Sequence, residues 1–170
     1  MKKQHSNHDT TKRLLLVLYG AVMLYLLFVR GRSIVSELPY WQRVAMNCNL
    51  TPLHTIRNYW DILARPDHYL DKWEAAAIYR EQAKHAIVNL LGNVVMFIPL
   101  GCFLPAVWQK LRKFWKSLLT GAAVIISIEL TQLLSLRGSC DVDDLILNLV
   151  GIAIGYVLWR IVHFARCKRK

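Results

Sequence analysis

No charged residue interrupts Leu14 to Val29, a run of sixteen residues bounded by Arg13 and Arg30. Three more apolar stretches follow at about 87–108, 118–136 and 145–165, separated by polar segments. At ~1.5 Å per residue the first run covers ~24 Å, so its flanking arginines must snorkel to reach the headgroups. A cleaved signal peptide has small residues before the cut, and Phe28-Val-Arg-Gly-Arg32 does not supply them, so the run is read as a retained span. The pattern predicts an all-α fold, a polytopic membrane helix bundle of about four transmembrane helices.

Between the first two runs, residues 33–86 are mixed and aromatic, with Trp41, Trp60 and Trp73 beside Tyr40, Tyr59, Tyr69 and Tyr79. Thr51-Pro52 has the form of an N-cap followed by Pro at the first helical position. Leu53, Ile56, Trp60 and Leu63 then recur at helical spacing. This segment is expected outside the membrane, as an interfacial helix with aromatics at headgroup level or as a small soluble cap over the bundle. Asp71 with Glu74 resembles a capping box that opens a helix running on into the second span. The chain thus divides into a basic tail, 1–13, a membrane domain, 14–165, with spans at about 14–29, 87–108, 118–136 and 145–165, and a second basic tail, 166–170.

Charge fixes the expected placement. The chain has 170 residues, 55% of them hydrophobic, and a formal net charge of +11. Such a balance suits nucleic acid or an anionic membrane, and here the basic residues flank the apolar blocks, which excludes nucleic acid as the expected partner and points to membrane lipid. Four crossings place the N-terminus, the 109–117 loop with Lys110, Arg112, Lys113 and Lys116, and the C-terminus on one side. The 137–144 hairpin, with Arg137 against Asp141, Asp143 and Asp144, lies on the other. Basic loops stay inside, so both termini are expected in the cytoplasm of a multi-pass plasma-membrane protein. Cys48, Cys102, Cys140 and Cys167 show no zinc-ligand spacing. Cys48 and Cys140 fall on the same side, which would permit a disulfide. No nucleotide-binding, metalloprotease or nucleophile-elbow signature is present, and no repeat of 20 to 50 residues.

Polar residues inside the apolar runs carry the candidate chemistry. Asn89 and Asn93 share a face of the second span, Glu129 and Gln132 sit in the third, and Asn148 in the fourth. All fall at one depth, toward the outer side, capped by the hairpin. Asp141 suits the N-cap of the fourth helix and Asp144 its third residue, where negative charge favours the helix dipole. Gly138 is placed as a left-handed residue ending the third helix. The asparagines also serve as interhelical hydrogen-bond partners, and Gly151 and Gly155 as a close-packing face. Glu129 has no capping role. An ionisable group in mid-span must be paired, protonated or beside a wet cavity, and Arg137, two turns on, could reach back toward it. Asp141, Asp144 and Asn148 form one stripe, so the two acidic stripes would enclose a polar pocket.

Three blocks together resemble the VanZ-like family of small bacterial membrane proteins: Asn49-Leu-Thr-Pro52-Leu-His-Thr-Ile56, Asn89-Leu-Leu-Gly92-Asn93 through Phe97-Ile-Pro99-Leu-Gly101, and Glu129-x-x-Gln132 with Arg137, Asp141, Asp144, Asn148 and Gly151. His54 stands where that family often has an aromatic residue. The resemblance implies a polytopic helical fold and an envelope role linked to resistance to glycopeptides, teicoplanin in particular; it attaches no reaction to these residues. A non-enzymatic role would use the polar cluster to bind a lipid-linked envelope precursor or its headgroup, or a cationic part of the glycopeptide, or to hold the fold together, with no cofactor. An enzyme acting on a lipid phosphate would have Glu129, Asp141 and Asp144 on Mg²⁺ and Arg137 on a phosphate oxygen. A small transporter would use the cluster as a pathway.

Overall fold

The computed structural model describes residues 2–29, 37–66 and 76–168. Helix α1, Lys2–Leu24, continues as a π-helical stretch, Tyr25–Val29. Then come α2, Tyr40–Met46, strand β1, Cys48–Asn49, and α3, His54–Ala64. Helix α4, Ala76–Val107, is followed by a 3₁₀ turn at Gln109–Leu111, α5, Phe114–Leu134, strand β2, Cys140–Asp141, and α6, Val142–Lys168. Four helices carry segments long and apolar enough to cross a membrane: Thr10–Phe28, Ile78–Val107, Phe114–Leu134 and Val142–Lys168. Large apolar side chains on all four face outward, among them Leu18, Val95, Leu130 and Ile161. That suits hydrocarbon and not water.

Helix α4 is longer than the predicted second span and runs without a break through Pro99 and Pro105. The Asp71–Glu74 capping box, with Tyr69 and Trp73, lies outside the described residues. Helices α4 and α6 are in backbone contact. A Cβ on Gly151 would overlap the Val94 carbonyl, one on Gly155 the Ile98 carbonyl, and one on Gly101 the Ile152 carbonyl. Without a hydrophobic driving force between helices in lipid, close approach of small residues supplies the contact, and three glycines supply it here. Met23, Phe97, Leu100, Leu104, Ile125 and Ile152 fill the space between the helices.

Helix α5 buries Ser117, Gly121, Ile125, Glu129 and Leu133, a stripe that recurs every fourth residue. Glu129 is on that stripe and so faces the bundle. The end of α5 corrects one expectation. Leu136, with φ 52°, is the left-handed residue, and no glycine among those described has positive φ. Arg137 N–H donates to Gln132 O and Leu136 N–H to Leu133 O, the paired bonds of a Schellman motif. Gly138 instead lets the chain pass close to Gln132, whose side chain a Cβ would press against at 3.3 Å.

Strands β1 and β2 pair in parallel, Cys48 opposite Cys140 and Asn49 opposite Asp141. The segment between the first two spans is thereby fixed to the hairpin at one end of the bundle. Both cysteines are free thiols.

Candidate functional site

Two constructions share that end of the molecule. The first is a clasp between the Asn49–Ile56 block and the start of α6. Asp141 Oδ1 accepts from Asp143 N–H at 2.9 Å, the N-cap bond expected of it. Its Oδ2 accepts from Thr55 Oγ1 at 2.6 Å and Asn49 Nδ2 at 3.3 Å. Asn49 Oδ1 accepts from Thr51 N–H, which tightens the turn into α3.

Helix α3 begins at His54 and not at Pro52, because Leu53 adopts a left-handed conformation, φ 62°, in the N-cap position. No side chain of its own caps it. Asp143 does so from α6: its carboxylate accepts from Leu53 N–H at 2.5 Å and Ile56 N–H at 3.0 Å. A helix N-terminus presents unpaired N–H groups and partial positive charge, which an inserted carboxylate satisfies. Asp143 is fully buried. It is absent from the predicted site residues because it lies off the Asp141–Asp144–Asn148 stripe. The available signal is the third aspartate itself, which the stripe leaves without a partner.

The second construction is a cavity of about 150 Å³ between α4, α5 and α6, roofed by Gly138 and Ser139. Asn93, Glu129, Gln132, Asp144 and Asn148 supply its polar wall, and Leu27, Phe97 and Ile128 its apolar wall. Asn93 Nδ2 donates to the Asp144 carboxylate. Gln132 Nε2 donates to Leu27 O at 3.1 Å. Glu129 and Asn148 are buried, with 8% and 3% of their surface exposed, and Glu129 Oε2 and Asn148 Oδ1 have no hydrogen-bond partner among the described residues. Buried acceptors are nearly always satisfied, so two without a partner in one polar cavity single it out as the candidate site.

Three predicted residues stand elsewhere. Asn89, one turn nearer the outer segment than Asn93, donates to Tyr59 Oη at 2.7 Å. Asp141 belongs to the clasp. Arg137 does not turn back to Glu129: α5 has ended by then, and its Nη1 donates to Phe28 O at 3.3 Å. With Gln132 on Leu27 O, it ties the end of α5 to the last described turn of the first span. The side chains proposed for Mg²⁺ are thus divided between clasp and cavity. Among the described residues no three His, Cys, Asp or Glu side chains are grouped to hold a metal ion.

Four apolar helices enclosing a small polar cavity, with a short extramembrane segment clasped over one end, define a multi-pass helical membrane protein. Residues 16–163 match the VanZ/LLP1 family, and the chain belongs to it. The match takes in both the clasp and the cavity. Nothing among the curated proteins or the solved structures matches the chain.

Proposed function

We propose that this protein acts at the outer face of a bacterial plasma membrane and lowers susceptibility to glycopeptide antibiotics such as teicoplanin, with the cavity as its ligand site. Family membership supports the class of protein, and the resemblance supplies the link to glycopeptides. The observation that carries the site is the pair of buried, unpartnered acceptors, Glu129 Oε2 and Asn148 Oδ1, on one small cavity. Orientation rests on charge. Lys110, Arg112, Lys113 and Lys116 lie at the end opposite the acidic hairpin, which favours that end as cytoplasmic.

A teicoplanin susceptibility assay in a sensitive bacterium tests this reading, with membrane levels checked by immunoblot. Glu129→Gln and Asn148→Leu, expressed at wild-type level, should each raise susceptibility by about tenfold, the factor that ~1.4 kcal/mol of lost binding produces. Full protection by both variants would remove the cavity from the function.

A further inference from the structure

We propose that the guest of this cavity is a primary ammonium group. The proposal rests on the reading of the cavity as the ligand site, and the chemistry of the wall narrows the guest. Two of the amides that face it direct an N–H to protein acceptors, Asn93 to Asp144 and Gln132 to Leu27 O. The buried groups without a partner are acceptors: Glu129 Oε2 and Asn148 Oδ1, both on side chains more than nine-tenths buried, beside the carboxylate of Asp144. Among the described residues no Lys, Arg or His lines the cavity. An anion would meet two acidic side chains there and, among those residues, no cationic one. A primary ammonium carries three N–H donors and one positive charge, which matches a wall of acceptors with acidic groups on it.

Size and shape narrow it further. At ~30 Å³ per water, about 150 Å³ admits an aminomethyl head with a water or two, and not a sugar or a whole phospholipid head. Quaternary ammonium groups are recognised by several aromatic faces, and among the described residues Phe97 is the one aromatic on the wall. The guest is thus an amine that donates hydrogen bonds, carried by an aminoethyl lipid headgroup or by a soluble amine.

The test uses the full chain, purified in a neutral detergent, and reads its melting temperature. Ethylammonium should raise it by several degrees at saturation, by mass action on the folded state. Tetramethylammonium, with equal charge and no N–H, and ethanol, with no charge, should not. Glu129→Gln and Asn148→Leu, where they fold, should lose the ethylammonium shift. Native mass spectrometry from nanodiscs separates the sources. Retention of phosphatidylethanolamine over phosphatidylglycerol marks a lipid head, and ethylammonium binding without such retention marks a soluble amine; either supports the proposal. Equal stabilisation by tetramethylammonium, stabilisation by Mg²⁺ or phosphate in place of ethylammonium, or no response to any amine would overturn it. Lost teicoplanin protection in the cavity variants with no amine binding would sink the ammonium and leave the ligand site standing. Amine binding without any effect on susceptibility would sink the resistance role alone.

Discussion

Asp143 is one carboxylate holding two helices at their starts. It occupies the first turn of α6 and accepts both Leu53 N–H and Ile56 N–H at the start of α3. Removing it leaves those N–H groups without their acceptor and Leu53 in a left-handed conformation with nothing to hold it. Asp143→Ala should lower unfolding stability by about 3 kcal/mol, and Asp143→Asn, which keeps one acceptor, by less. Thermal unfolding in detergent measures both, with exposed Glu81→Ala expected within about 0.5 kcal/mol of wild type. Cys140 offers a test by pH. Burial first, then the neighbouring Cys48 thiol and the Glu129 carboxylate, push its thiol up to about 11. At pH 8 roughly one Cys140 in a thousand is then thiolate, the reactive form. With all four cysteines kept and labelling read peptide by peptide by mass spectrometry, maleimide modification of Cys140 should be much slower than that of exposed Cys167, and should climb about tenfold per pH unit up to pH 10. Equal rates at pH 8 would contradict the raised thiol.

At the scale of elements, the α4–α6 contact is the most exacting part of the bundle. Gly151→Ala or Gly155→Ala places a methyl group against a backbone carbonyl of α4, which cannot rotate away, and each should cost about 1–3 kcal/mol of stability. Gly92, where an added methyl group would meet nothing within 4 Å, is the control and should gain from the better helix propensity of Ala. Melting curves of the three variants distinguish the cases. The four spans were legible from apolar runs alone, and the cost of an ionisable group in mid-span singled out Glu129, although the stripe that turns it inward was seen only in the structure. What was not legible is where one element meets a distant one. Thr51-Pro52 has a good local signature for a helix start, yet α3 opens two residues after Pro52 because its cap comes from Asp143, ninety residues away in sequence. Arg137 fails for a related reason. Extrapolating two turns from Glu129 assumes that α5 continues, and Leu136 ends it with a left-handed turn.

For the whole molecule, the sequence carried the family and the fold, because four apolar spans and three joint motif blocks survive without knowledge of contacts. Of the eight predicted site residues, Asn93, Glu129, Gln132, Asp144 and Asn148 line one cavity, since depth along a span can be counted. Asn89, a turn away from Asn93, and Arg137 and Asp141, in the hairpin, face other partners, which counting along a span does not encode. Depth also supports a topology test. In intact cells a membrane-impermeant maleimide should label Ser139→Cys in the hairpin and leave Cys167 unmodified until the membrane is permeabilised. The opposite pattern would reverse the orientation.

The clasp also sets an order of events during synthesis. The N–H of Leu53 emerges ninety residues before the Asp143 carboxylate that it donates to. At about 5–20 residues per second the outer segment waits roughly 5–20 s for that partner, while two further spans are made. Through that interval the block is held by local bonds from Asn49 to Thr51 and Thr55 and, once the second span is made, by Asn89 on Tyr59 Oη. A chain that ends before residue 143 therefore lacks the carboxylate that caps α3, and the clasp waits for the last span although half of it is among the first parts to be made.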